Sequence, residues 1–196
     1  MRPSAFISLI LLVNCLCFGQ TTKEKRFRIA VQQIIIAFSK QDSATISKYV
    51  NKKIGLYQLD RVGVFDQYHH FKTLSFSDTT YPQVLLRQSE KVDLLPLRYA
   101  NLPTWDCEKE EWSKKGLFVD TTKIDHLLSK ICKDRNKYRP DNIPNKTIQF
   151  FYDLEIKSRR MVLYDNAGRE LVFYLSYLDD NWYLTIIDNV SSDCSV

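Results

Sequence analysis

The stretch whose reading decides the fold is 147–188, TIQFFYDLEIKSRRMVLYDNAGRELVFYLSYLDDNWYLTIID. Ile148, Phe150, Tyr152, Leu154 and Ile156 alternate with Gln149, Phe151, Asp153 and Glu155. That two-residue period predicts a half-buried strand. Arg160 to Tyr164 and Arg169 to Leu178 read as a hairpin around Asp165-Asn166-Ala167-Gly168, and Trp182 to Asp188 returns across Asp179-Asp180-Asn181. Gly, Asn and Asp suit such turns because they tolerate positive φ or bond their own backbone. The expectation is a four-stranded antiparallel meander, bent enough to hold a core.

Upstream the period changes. Phe27, Ala30, Val31, Ile34, Ile35 and Phe38 recur at three- and four-residue steps and predict a helix over Lys23–Ser39. Asp42 is the N-cap of a short second helix in which Ile46, Tyr49 and Val50 face inward, and a strand is expected over Gly55–Leu59. A helix over Thr121–Lys133, capped by Asp120 or Thr121, carries Ile124, Leu127, Leu128, Ile131 and Cys132 on one stripe. Between 75 and 116 the prolines 82, 96 and 103 leave room for strands only near Val84–Gln88 and Val92–Leu95. Helices with the sheet collected at the C-terminal end define an α+β protein, N-terminal helices packed on a curved, mainly antiparallel sheet. No repeat or linker divides it, so 20–196 reads as one domain.

The segment before it has another character. Arg2, the apolar run Ala5–Leu16 and the small residues Cys17 and Gly19 have the form of a secretory signal peptide, 1–19, cut before Gln20. The run is shorter than the ~20 apolar residues of a membrane span, so the expectation is an exported chain, periplasmic or extracellular, with no transmembrane span after cleavage. Lys and Arg number 28 against 23 Asp and Glu, and the signs are interleaved. No nucleic-acid footprint is indicated. Of the five cysteines, Cys107, Cys132 and Cys194 lie beyond the signal. An oxidising compartment favours a disulfide, and Cys107 with Cys132 is the preferred of three pairings, closing the least regular segment.

The blocks Phe38-Ser39-Lys40-Gln41-Asp42 and Leu178-Asp179-Asp180-Asn181-Trp182-Tyr183-Leu184, with the two helices before the first of the strands, resemble the NTF2-like/SnoaL-like cone fold. Ile54-Gly55-Leu56-Tyr57, Gly63-Val64-Phe65-Asp66 and Trp182–Asp188, with Gly19-Gln20, are similar to exported proteins of Bacteroidota. The first resemblance implies a cone whose apolar mouth can house acid–base chemistry. The second implies export and no particular activity.

Catalytic signatures are missing from the sequence: there is no Gly-x-Ser-x-Gly elbow, no Cys-x-x-Cys and no cofactor fingerprint. Asp66, His69 and His70 form the one compact set with metal-ligand chemistry, and in a helix His69 would diverge from the other two. His126 is expected in solvent, opposite the apolar stripe of its helix. Phe151, Tyr174, Trp182 and Tyr183 are the candidate ligand-binding residues, because aromatic side chains crowd both faces of the meander. The expected function is a non-catalytic binding module for a small apolar ligand or an envelope protein. The alternative is a cone-fold enzyme with a buried carboxylate and tyrosine acting on a small apolar substrate.

Overall fold

The computed structural model describes residues 4–77, 95–139 and 141–194, with side chains from Thr22 onward. It is an α+β protein. A long helix α1 (Ser4–Lys40) and a short α2 (Ser43–Tyr49) precede the hairpin β1 (Leu56–Val62) and β2 (Phe65–Phe71). The short strands β3 (Leu97–Tyr99), β4 (Trp105–Asp106) and β5 (Glu111–Trp112) and the longer β6 (Gly116–Asp120) follow. Helices α3 (Leu127–Tyr138) and α4 (Asn145–Ile156) then lead into β7 (Ser158–Tyr164), β8 (Glu170–Leu178) and β9 (Asn181–Asp188).

The main sheet is ordered β2-β1-β9-β8-β7-β6-β3, and β4 and β5 form a small hairpin of their own. Pairing is antiparallel except for β1 with β9 and β3 with β6. A register shift at Tyr174/Leu175 bends the β8–β9 ladder. The turn between those strands has Asp179 and Asp180 both at positive φ, the conformation that a two-residue hairpin needs.

The strand predicted over Ile148–Ile156 is a helix. Its buried residues are Ile148, Phe151, Leu154 and Glu155, a helical stripe, whereas Phe150, Tyr152 and Ile156 of the alternating set stay exposed. The segment satisfies both periods, and packing against α3 and the sheet selects the helical one. The meander therefore runs β7-β8-β9 and gains its fourth antiparallel strand from β6.

The helix predicted from Thr121 begins instead at Leu127. Asp120 spends its carboxylate on a tight turn, accepting from the backbone of Thr122 (2.8 Å) and Lys123 (3.3 Å). Other local signals act as read: Asp42 caps α2 through the Thr45 N–H at 3.0 Å, and the predicted apolar stripe of α1 is buried. The strand predicted over Gly55–Leu59 starts at Leu56. Gly55 has φ +75°, and a Cβ there would lie 2.4 Å from the Phe71 carbonyl oxygen, so only glycine lets β1 approach the end of β2 this closely. The strand predicted at 84–88 and most of that at 92–95 lie outside the described residues.

The two faces of the sheet bury different layers. Helices α1 and α2 cover Leu117, Met161, Leu163, Phe173, Leu175 and Leu184 with Phe27, Val31, Ile34 and Phe38. Helices α3 and α4 cover Tyr57, Leu59, Tyr174 and Ile186 with Leu128, Ile131, Phe151 and Leu154. A smaller cluster joins Trp112 to Val162, Tyr164 and Val172.

The disulfide joins Cys107 to Cys194, not to Cys132. Cys132 is buried in the α3–α4 layer, where burial pushes its thiol up to about 11. The expected pairing would close the loop that holds the least regular segment. The tertiary path brings the C-terminal tail to the β4–β5 hairpin, where the Trp105 indole N–H also points at the Cys194 sulfur, 3.0 Å away.

Candidate ligand cleft and buried polar layer

The α3–α4 face holds a layer of charge that no local pattern announces. Arg160 on β7 donates to Asp125 (2.8 Å), Asp188 (3.0 Å) and the Ser191 hydroxyl (2.5 Å). Asp188, at the end of β9, also accepts from the backbone N–H groups of Val190 and Ser191, each at 3.0 Å. The desolvation of this pair is offset by nearly complete hydrogen bonding, the condition under which buried ion pairs persist.

Glu155 on α4 is only 2% exposed and reaches the start of α3. It accepts from the N–H of Leu128 (2.6 Å) and Ser129 (3.2 Å) and from the Ser129 hydroxyl (2.6 Å). The N-cap residue His126 offers no side-chain bond, so Glu155 caps α3 from a neighbouring helix. Burial raises its pKa, against the pull of the Ser129 and Leu128 donors and of His126. His126 is not the solvated residue expected from the sequence. Its ring stacks on Tyr152 at 4.4 Å, and Nδ1 lies 3.5 Å from the Glu155 carboxylate.

Three buried polar atoms of this layer have no hydrogen-bond partner among the described residues: Tyr174 Oη, Arg160 Nε and His126 Nδ1. Burial pushes the Tyr174 hydroxyl well above the usual tyrosine range, against the pull of Arg160.

The metal candidates do not converge. Strand alternation puts Asp66 and His70 on one face of β2 and His69 on the other. Asp66 pairs with Arg61 at 2.7 Å, and His69 lies 3.8 Å from Asp60. His70 bonds the Ile54 carbonyl at 2.8 Å and stacks on Tyr57. No group of three metal-ligating side chains is gathered among the described residues.

The four aromatic candidates divide between the faces. Phe151 packs edge-on against Tyr57 and Tyr68, and Tyr174 is buried in the same layer. Trp182 lies on the opposite face against Phe27, its indole N–H donating to the Lys23 carbonyl at 3.1 Å. Tyr183 alternates away from it, half-buried.

Trp182 borders an open cleft of about 400 Å³ where α1, the loop after β6 and the α4–β7 junction meet. Lys23, Lys123, Lys157, Ile124 and Ile156 line it with Trp182. The Lys23 ammonium sits 3.8 Å from the Tyr177 ring centroid, and Arg159 lies over Phe27 and Trp182 while pairing with Glu24 at 2.8 Å. The lysines come from three distant segments, so no motif could have revealed them. A second cleft of about 300 Å³ lies between the β1–β2 turn and α3, lined by Phe65, Ile131 and Tyr138.

This architecture defines an α+β protein with a mixed sheet covered by helices on both faces. Compared with known protein families, curated proteins and solved structures, the chain matches none of them. No helix among the described residues is long and apolar enough to cross a membrane.

Proposed function

We propose that this chain is an exported, non-catalytic binding module that holds a small ligand in the cleft at Trp182. The cleft itself carries the reading: about 400 Å³, built from separate elements, with aromatic, aliphatic and cationic walls, within the size range of small-molecule sites. The Cys107–Cys194 disulfide supports export, because reducing compartments rarely maintain such a bond. The cone-like reading of the fold belongs to the same proposal. Its support is the order α1, α2 and final hairpin, with Leu178–Leu184 spanning the β8–β9 turn and the start of β9.

Native mass spectrometry of the full chain purified from its own source tests the module. The expected result is a ligand mass that is lost on denaturation. A bare chain at every ligand load would overturn the reading.

An acid–base enzyme is the second reading, favoured by the Tyr174 hydroxyl, buried near Asp188 and Glu155 and without a hydrogen-bond partner among the described residues. Tyr174 does not line the Trp182 cleft, so this reading puts the substrate on the α3–α4 face. It predicts that Tyr174→Phe abolishes conversion of the co-purified ligand while leaving its binding intact. Recovery of that ligand unchanged after long incubation with the wild-type chain would exclude it.

A further inference from the structure

The walls of the Trp182 cleft carry two chemistries, and two of the segments that build it supply both. Lys23 from α1, Lys123 from the loop after β6 and Lys157 from the α4–β7 junction supply ammonium groups. None of the three forms an ion pair with a carboxylate among the described residues. Asp120 is the acid in the wall: its Oδ1 accepts from the Thr122 and Lys123 N–H groups and the Thr122 hydroxyl, and its charge offsets part of that of Lys123. Arg159 is neutralised by Glu24. The cleft is left with a cationic surplus, arranged as separate point charges rather than guanidinium forks. That form suits a tetrahedral oxyanion better than the planar two-pronged contact of an arginine with a carboxylate.

The other chemistry is aliphatic. Ile124 and Ile156 are each 45% exposed, and both face this cleft. Single exposed aliphatic residues are ordinary, but two converging on a lysine-lined hollow with a tryptophan edge make a half-apolar floor. A bare inorganic ion would leave that floor wet, and a neutral hydrocarbon would leave the cationic surplus uncompensated.

We infer that the ligand of this cleft is an amphipathic organic anion, with a phosphate-type head at Lys23, Lys123 and Lys157 and an apolar stem over Ile124 and Ile156. The inference rests on the binding reading above and names its ligand class. The head belongs either to a soluble metabolite or to a lipid, and the same chemistry serves both.

Hexyl phosphate is the probe, titrated into the isotope-labelled full chain with amide shifts followed by NMR, alongside inorganic phosphate and hexan-1-ol. Hexyl phosphate should bind roughly tenfold or more tightly than either fragment, with shifts at 121–124 and 156–159. Lys23→Gln with Lys157→Gln should weaken it by about tenfold and flatten its salt dependence. Ile124→Ser with Ile156→Ser should reduce it to the level of inorganic phosphate. All four side chains lie at the surface of the cleft, and circular dichroism confirms that each variant is folded.

Equal affinity for hexyl phosphate and inorganic phosphate, or indifference to the lysine pair, would overturn the inference. A co-purified ligand that proves neutral would also overturn it while leaving the binding module intact. A chain that takes up neither hexyl phosphate nor any co-purified ligand would overturn both. Phosphatidylglycerol vesicles separate the sources. Vesicle binding that the lysine pair abolishes assigns the head to a lipid, and hexyl phosphate binding without vesicle binding assigns it to a soluble molecule.

Discussion

On one face of the sheet, α1 and α2 bury Phe27, Val31, Ile34 and Phe38 against Met161, Leu163, Phe173 and Leu184, a cluster of hydrophobic residues. On the other, α3 and α4 bury Phe151, Tyr174 and Leu128, but among them Asp188 and Glu155, with Arg160 half-buried beside them. The first layer is held by apolar area, about 1.5–3 kcal/mol for each large side chain, and needs no particular partner atoms. The second depends on geometry: each charge is tolerable only while its donors and acceptors stay in place. The apolar face should accept substitution gradually, and the polar face should fail abruptly and change with pH.

The strongest way to break that contrast is to release the tail that closes the polar face. The disulfide pins Cys194 across a sequence separation of 87, and the tail before it supplies Ser191 to Arg160 and Asp188 and buries Val190. Replacing both Cys107 and Cys194 by Ser should cost roughly 4–5 kcal/mol in urea unfolding. A loss below about 1 kcal/mol would mean that the tail stays docked without the bond.

Arg160→Ala is the next largest. It strands Asp188, and the expected loss is about 3–5 kcal/mol. Arg160→Met with Asp188→Leu should recover most of it, because a matched apolar pair removes both desolvation costs. If the single variant were as mild as the double, the ion pair would not organise this face.

Glu155→Gln sharpens the comparison. Burial raises the folded-state pKa of Glu155 above the ordinary 4.5. An acid shifted upward stabilises the fold fully below its unfolded value and loses that contribution as pH rises through the folded one. Glutamine retains an acceptor for Leu128 and Ser129 without the charge. The variant should therefore cost roughly 1–2 kcal/mol near pH 4 and progressively less toward pH 8, read from paired urea melts. A deficit that grows with pH would show a carboxylate stabilised as the anion. Phe173→Leu, on the apolar face, should cost the least, about 1 kcal/mol, and equally at both pH values. A pH-dependent cost there would erase the distinction between the faces.

The α1 stripe, the Asp42 cap and the β7-β8-β9 turns were legible because each is fixed by residues within one or two turns of chain. Two local readings failed where remote groups intervened. Asp120-Thr121 looks like a helix start, yet α3 begins at Leu127 because Glu155 supplies its cap from 27 residues away. The segment Ile148–Ile156 satisfies a strand period and a helix period alike, and only the helical one places Phe151 and Leu154 under α3 and the sheet. Of the candidate aromatic residues, alternation along β9 separates Trp182 from Tyr183, but nothing local tells which face meets α1.

The sequence by itself determined the α+β class, the helical N-terminal region, the β7-β8-β9 hairpins and the absence of a compact catalytic motif. Periodicity and turn chemistry are short-range properties, and they survive without knowledge of the rest of the chain. Only the tertiary structure decided the partner of Cys107, the pairing of Arg160 with the buried Asp188, and the meeting of Lys23, Lys123 and Lys157 beside Trp182. Those pairings depend on how distant segments cross in space, and burial is what gives a charge, a thiol or an ammonium group its chemistry.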